Sequence, residues 1–442
     1  MIREKYYCGL DLGAQKIKAG ILKVKDASPW PKAPPPRGTS GRGEGASGPQ
    51  MELIGIYEQK TAGFCDGAVS DLGELSDCVH ATVHTLLQKT NLKLKEVQLG
   101  VGSELIEVRE GGTTIPLVDR TNKIITRRDI KKVNDQARLL SLKMDEEILH
   151  DLPQQYMVDE VNKALNPGGL YGRKLGVQSL MIFTNANRIR NIVRAVHQAG
   201  YEVPNIFFTS YAAGEVALDD AERAQPKAPS LQGAFGQGEG RVLIDIGAKA
   251  TSVLLFQDNI LRRLKKIEIG GDAFTLRIAE RLSLPLDLAE EIKRSYAATL
   301  EAYHSSDEEI LVKRDSAYKP VKGKDICAAI EPQIRELLEN IQSVLREFGV
   351  ADDLETGIVM IGGGSLLTGL IERLSQATRH PACLAKMNVA SARSPGNTAL
   401  FAGVVGLAKS GFKQSLRYAL SPDGHWRANL LNRFKELYHE YF

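Results

Sequence analysis

The 442-residue sequence predicts an α/β fold of two related lobes facing one site, and three stretches carry that prediction. Tyr6 to Val24 (YYCGLDLGAQKIKAGILKV) reads as two apolar strands joined through Asp11-Leu12-Gly13-Ala14. Arg241 to Phe256 (RVLIDIGAKATSVLLF) repeats the design, with Asp245-Ile246-Gly247-Ala248 at the turn. Ile358 to Ile361 then runs as a strand into Gly362-Gly363-Gly364-Ser365, and a helix is expected from Leu366 to Ala377. Runs of Val, Leu and Ile bounded by Gly are the pattern of buried strands. An Asp-Gly turn presents one carboxylate and several N–H groups at a sheet end, although it also serves as an ordinary hairpin turn. Small residues between strand and helix let a flat ligand or a phosphate approach the backbone. Two copies of one hairpin imply two lobes.

Composition narrows the classes. At 442 residues with 43% hydrophobic content, the chain should divide into two or more domains with ordinary cores. The 57 basic and 54 acidic residues nearly cancel, no basic stripe is present, and nucleic acid is not an expected partner. The five cysteines (Cys8, Cys65, Cys78, Cys327, Cys383) lie far apart without C-x-x-C, which argues against a metal site or disulfide framework and fits a reducing compartment. The N-terminus lacks a hydrophobic signal core and no apolar run approaches ~18 residues, so a cytosolic chain that does not span a membrane is expected.

The elements follow in order. Pro29 to Pro49 holds six Pro and five Gly in 21 residues, an insertion (28–50) expected to be disordered at a hairpin tip. The sheet resumes at Met51 to Tyr57. A helix from about Leu72 to Lys89 shows Leu75, Val79, Val83, Leu86 and Leu87 on one face. His80 and His84 share its i, i+4 spacing but lack a third metal ligand nearby, so an ordinary helix face is the reading. From 97 to 183 the composition changes to strands around one helix (Arg127 to Leu140), with Thr126 as N-cap and Asp129 at its third position. Two strands, Glu147 to Asp159 and Arg173 to Phe183, flank the Asn166-Pro167-Gly168-Gly169 turn, giving a compact insertion. A helix over Asn187 to Ala199, a strand over Asn205 to Phe208 and a helix over Ala212 to Leu218 lead to the second lobe. Residues 224–240 form another flexible loop. Helices over Asp272 to Leu282, Asp287 to Ala298 and Glu331 to Phe348 make a second small subdomain.

Hairpin, hairpin and Gly-rich loop together resemble the nucleotide cleft of actin, Hsp70 and sugar kinases, an actin-like (ribonuclease-H-like) two-lobed nucleotide-binding fold. Further stretches are more specific: Gly63-Phe64-Cys65-Asp66-Gly67-Ala68-Val69 with Asp71, Ile124 to Ile130, Ile148 to Asp159 (ILHDLPQQYMVD) and Asn166 to Leu175 (NPGGLYGRKL). These resemble the bacterial cell-division FtsA family, whose inserted subdomain 1C is absent from the other three groups. The resemblance implies subdomain 1A over 1–96 and 184–215, 1C over 97–183, 2A over 216–271 and 349–410, 2B over 272–348, and a linker over 411–425.

By resemblance, Asp11, Gly13, Ala14 and Lys16 form a first phosphate loop, and Asp245, Gly247, Ala248, Lys249 and Thr251 a second. Asp11 and Asp245 would hold a hydrated Mg²⁺ on ATP, a geometry suited to a hard cation with few protein ligands. Gly362, Gly363, Gly364 and Ser365 would cover the adenosine, bordered by Glu290 and Lys293, a pair that can equally be an i, i+3 ion pair on a solvated helix face. The chain also departs from the family. Ala248, Lys249 and Ala250 replace flexible positions, and Ser252 replaces an acid. Lys249 could reach a γ-phosphate or face solvent. Thr209 stands where an acid opens the connecting helix of Hsp70-like ATPases, so general-base help is expected to be missing and hydrolysis slow or absent.

The end of the chain carries the last signal. After Ser421-Pro422-Asp423-Gly424, the segment from 426 to 442 (WRANLLNRFKELYHEYF) places Trp426, Leu430, Leu431, Phe434, Leu437, Tyr438, Tyr441 and Phe442 on one side of a helix. Arg433 and Lys435 edge that arc, where their stems can lie along lipid. The segment resembles the family's membrane-targeting helix; the bland alternative is a helix docked on its own protein or a partner. Glu436, Glu440 and the terminal carboxylate offset its cations, at about 1 kcal/mol per uncompensated charge, so anchoring would rest on apolar burial and the avidity of filaments. The expectation is an ATP-binding, self-polymerising cell-division protein, peripheral on the cytoplasmic face of the membrane at the division site. It would anchor FtsZ filaments through the FtsZ C-terminal tail on 2B, bind anionic membrane and recruit other divisome proteins. A PilM-type pilus-assembly protein and, more distantly, an ATPase or sugar-kinase-like phosphotransferase are the alternatives.

Overall fold

The computed structural model describes residues 4–25, 50–117, 123–224, 240–257, 259–299, 309–314, 317–350, 357–387, 390–391 and 398–420. The Pro/Gly-rich insertion, residues 225–239 of the second loop and the terminal helix expected over 426–442 lie outside them.

In the first lobe β1 (Glu4–Leu12), β2 (Lys16–Lys25) and β3 (Gln50–Lys60) pair antiparallel in sequence. A two-residue turn at Asp66 and Gly67, both at positive φ, joins β4 (Phe64–Cys65) to β5 (Ala68–Val69). Helix α1 (Leu72–Thr90) is capped by the Asp71 carboxylate, which accepts the Glu74 N–H at 2.8 Å, and it ends at Asn91 in the left-handed region. Its expected apolar stripe is buried. Strand β6 (Glu96–Val101) pairs parallel with β1, so it lies in the first sheet and not in the span expected as the insertion.

The insertion proper is β7 (Ile106–Pro116), β8 (Lys123–Ile124), α2 (Arg127–Ser141), β9 (Glu146–Val158), β10 (Asn162–Ala164), β11 (Tyr171–Gly172) and β12 (Lys174–Asn185). Its sheet has the order β10-β9-β12-β7, and α2 starts at a reciprocal cap between Thr126 and Asp129. Val133 and Ala137 of α2 share a small core with Val177, Met181 and Phe183 of β12. Helix α3 (Ala186–Gln198) and strand β13 (Glu202–Phe208) return the chain to the first sheet, completing the order β13-β6-β1-β2-β3. Helix α4 (Thr209–Ala224) begins at once, ahead of the expected Ala212, because Thr209 and Ser210 find partners in both lobes.

The second lobe repeats the plan. β14 (Arg241–Ile246), β15 (Thr251–Gln257) and β16 (Ile260–Ile267) are antiparallel. Helices α5 (Gly271–Leu282) and α6 (Leu286–Tyr296), the hairpin of β17 (Glu309–Arg314) and β18 (Ala317–Lys322), and α7 (Gly323–Glu347) follow. β19 (Ile358–Ile361) pairs parallel with β14, and after α8 (Leu370–Thr378) β20 (Ala382–Leu384) pairs parallel with β19. β21 (Ala390–Ser391) rejoins β3, and α9 (Thr398–Leu420) closes the described chain. Each main sheet thus shares a plan of three antiparallel strands and two parallel ones, the structural form of the repeated hairpin, and the first adds β21 as a sixth strand on β3.

Three further expected boundaries move. Helix α7 starts at Gly323 instead of Glu331 and carries Pro332 inside; an internal proline loses a helix hydrogen bond, but Ile326, Ile330, Ile334 and Leu337 are buried on both sides of it and hold the helix together. After the Gly-rich loop the chain makes a short 3-10 turn (Gly363–Leu366), and α8 starts only at Leu370 because Gly369 breaks the path with φ +79°. Helix α9 continues through 411–420, expected as linker, since Phe412 is buried against Tyr7 with ring centroids 5.8 Å apart. Among the described residues no helix is long and apolar enough to cross a membrane.

Candidate functional site

The two hairpins deliver their aspartates to one place. Asp11 lies opposite Lys18 in the β1–β2 register, and Asp245 lies opposite Ser252 in β14–β15. Between them stands the first turn of α4. Thr209 donates its hydroxyl to Asp11 Oδ1 at 2.8 Å, and Ser210 donates to Asp245 Oδ2 at 2.6 Å. Burial pushes both carboxyls above the usual range, and the Asp11 charge raises Asp245 further, while Lys18 lowers both. Two desolvated carboxylates in each other's field suit a hydrated divalent cation, which would relieve their repulsion. Among the described residues no group of three or more His, Cys, Asp and Glu is placed to hold a metal directly.

Backbone surrounds this pair. Gly362 has φ +87°, and a Cβ there would lie 2.4 Å from Asp245 Oδ1, so only glycine brings the loop this close. Gly364 packs against Ile246, where a Cβ would stand 2.3 Å from its Cγ2, and Gly363 opens the 3-10 turn. The Ser365 hydroxyl is turned inward onto the Gly362 carbonyl at 2.7 Å. In the second hairpin the Gly247 N–H donates to Ala250, while the Gly247 and Ala248 carbonyls accept the first N–H groups of α5, from Gly271 (2.9 Å) and Asp272 (2.8 Å). Thr251 donates to the Ile269 carbonyl at 2.7 Å. In the first hairpin Thr61 donates to the Gly13 carbonyl at 2.7 Å, next to Ala14 in the bend between β1 and β2.

The charged residues expected here have specific partners. Lys16 is ion-paired with Glu58, along the sheet. Lys249 neither stands free nor faces solvent alone: its ammonium lies 3.1 Å from Asp66 of the first lobe and 3.5 Å from Asp272 of the second. Gln15 also donates to Asp272, which makes a clasp across the mouth of the cleft. Glu290 and Lys293 do form the i, i+3 pair, at 2.6 Å, but shielded and not on a solvated face. Lys293 donates to the Gly271 carbonyl (2.9 Å) and to Thr275 (2.8 Å), which ties α6 to the start of α5 beside the second hairpin. His80 and His84 stack at 5.2 Å, with His80 Nδ1 3.0 Å from the Ala199 carbonyl, an ordinary helix face.

Sequence reasoning missed four groups. Thr209 registered only as a missing acid, and Ser210 not at all. Lys18 had a signal, its count across the hairpin from Asp11. Glu104 had none: it sits in the 3-10 turn after β6, where burial raises its carboxyl and the charges of Asp11 and Asp245 raise it further. Its neighbour Ser103 bonds Ser252 across the lobes at 2.7 Å.

Comparison with known proteins agrees with this layout. Residues 242–406 match the family model "Cell division protein FtsA", and residues 111–183 match "SHS2 domain inserted in FTSA", together more than half of the chain. The Pseudomonas aeruginosa cell division protein FtsA is 25% identical over 379 residues, covering 85% of this chain and 82% of that relative. The Buchnera aphidicola FtsA is 26% identical over 410 residues, 90% of this chain and 88% of the relative. Among solved structures, a PilM-PilN type IV pilus biogenesis complex aligns with TM-score 0.61 at 19% identity, over 92% of this chain and 98% of that one. MreB5 of Spiroplasma citri bound to AMPPNP aligns with TM-score 0.50 at 12% identity, over 94% and 99%. These two show the actin-like fold. With both the second lobe and the inserted subdomain matched, the chain belongs to the FtsA family of cell-division proteins.

Proposed function

We propose that this chain binds Mg-ATP between its lobes and polymerises into filaments that tether FtsZ to the cytoplasmic membrane and help recruit later division proteins. The observation that carries the nucleotide reading is the meeting of Asp11 and Asp245 under a loop that tolerates only glycine at 362. Asp11 and Asp245 would hold the hydrated Mg²⁺; the backbone of Gly13, Ala14 and Ala248 would face the phosphates, while Thr251, buried with its hydroxyl on the Ile269 carbonyl, and Gly247, whose N–H is held by Ala250, would shape the turn behind them; Gly362 to Ser365, with Glu290 and Lys293, would border the adenosine. When bound, Mg²⁺ supplies charge neutralisation at the phosphates. The MreB5 relative was solved with AMPPNP, which supports a nucleotide in this fold.

In this reading subdomain 2B (272–348) receives the FtsZ C-terminal tail. The terminal segment supplies the anchor, with Trp426, Leu430, Leu431, Phe434, Leu437, Tyr438, Tyr441 and Phe442 in the lipid and Arg433 and Lys435 at the headgroups. A PilM-type role is the second reading, favoured by the fold match to a PilM-PilN complex. The terminal segment separates the two. In co-sedimentation with anionic vesicles in Mg-ATP, the full chain is expected to pellet and a chain ending at Ser421 to remain in solution. If neither pellets, the membrane-anchor reading is lost and the PilM-type role takes first place.

A further inference from the structure

Four consecutive residues at the end of β13 and the start of α4 are held by three different parts of the molecule. Phe208 donates its backbone N–H to His150 Nε2 at 2.9 Å, and His150 belongs to β9 of the inserted subdomain. Thr209 is bonded to Asp11 of the first lobe, and Ser210 to Asp245 of the second. Tyr211 meets the His150 ring edge-on at 4.8 Å and stacks on Phe256 of β15 at 6.3 Å, with the ring planes 4° apart. Phe207 stacks on the imidazole with ring centroids 6.0 Å apart. A backbone N–H can only donate, so His150 Nε2 must keep its lone pair and the ring must be the neutral tautomer with its proton on Nδ1.

The consequences run along the backbone. Fixing the Phe208 peptide fixes the plane from which α4 starts, and therefore the direction of the hydroxyls on the next two residues. Thr209 has little freedom of its own: a Cβ on Gly100 would lie 2.5 Å from its Oγ1, and one on Gly403 2.6 Å from its Cγ2. The insertion reaches the second lobe as well, through Gln154, which donates to the Leu261 carbonyl at 2.8 Å.

We infer that His150 is a positioning residue for the cleft: by accepting the Phe208 N–H, it sets the start of α4 so that Thr209 and Ser210 hold both aspartates in place for Mg-ATP. The inserted subdomain thereby contributes to nucleotide affinity, and by linkage nucleotide alters the free energy of whatever the insertion binds. This inference rests on the reading that the cleft takes Mg-ATP.

The test uses the full chain and three proteins: wild type, His150→Leu, which keeps bulk without an acceptor, and His150→Gln, whose amide oxygen can replace Nε2. Affinity for Mg-ATP is measured with a fluorescent ATP analogue. Hydrogen exchange of the segment around Phe208 is followed without nucleotide. His150→Leu is expected to weaken binding about tenfold, the order of one lost neutral hydrogen bond, and to expose the Phe208 amide; His150→Gln is expected to recover most of both. Unchanged affinity in His150→Leu, or equal losses in the Leu and Gln variants, overturns the inference, since a merely structural histidine would give no such rescue. If wild type binds no Mg-ATP, the nucleotide reading fails and this inference fails with it; binding by wild type with no difference among the three proteins sinks only the role given to His150.

Discussion

Arg109 grips Glu146 with both terminal nitrogens, one at 2.8 Å, and its guanidinium lies 3.9 Å from the centre of the Phe183 ring. The guanidinium's hydrogen bond holds the Glu146 carboxyl down at about 2. Because that value is below the unfolded one of 4.5, the pair contributes fully above pH 4.5 and loses its contribution as the pH falls toward 2. Glu146→Gln should therefore cost about 2 kcal/mol at neutral pH, the order for a hydrogen bond to a charged group. The gap from wild type should close on acidification through that window. Unfolding curves at pH 7 and pH 3 check this, and a gap of constant size would show that Arg109 does not act through charge.

At the scale of elements, α4 and α9 cross without room for side chains. A Cβ on Gly406 would lie 2.2 Å from the Ala212 carbonyl oxygen, so Gly406→Ala must force the helices apart. A loss of about 2 kcal/mol, typical of overpacking, is expected, together with weaker Mg-ATP binding because α4 carries Thr209 and Ser210. A melt and an affinity both matching wild type would mean the helices separate freely. The crossing also marks where the sequence stops being readable. The hairpins around Asp11 and Asp245 and the stripe of α1 were legible because their signals are local, a turn between apolar runs and a helical period. Helix α9 gave no such signal: Ala399, Ala402, Val404, Val405, Leu407 and Ala408 are buried around most of its circumference, against α4 on one side and β1 and β2 on another. Thr209, Ser210 and Glu104 matter only through partners distant in the chain, which no local pattern records.

The whole molecule sets what the cleft can do chemically. Its carboxylates come from separate places, Asp11 from the first hairpin, Asp245 from the second and Glu104 from the turn after β6, while Ser252 and Thr209 occupy positions where acids were expected. Phosphate release from Mg-ATP should be slow, below about 0.1 per second against the usual enzyme range that starts near 1 per second. Whatever rate remains should fall about 100-fold in Glu104→Gln if that carboxyl orients the water. Release of several per second, abolished by Asp245→Ala, would make this chain a true ATPase; a residual rate untouched by Glu104→Gln would remove Glu104 from the chemistry.

Thr209 and Ser210 are adjacent on one helix, and neighbouring side chains on an α-helix diverge by roughly 100°. Their two hydrogen bonds therefore fix an angle as well as two distances. If one lobe turns against the other about α4, the helix end cannot follow both aspartates at once. It must roll with one and release the other. On such a rotation the start of α4 would act as a detent, turning a graded movement of the lobes into a choice of which aspartate keeps its hydroxyl.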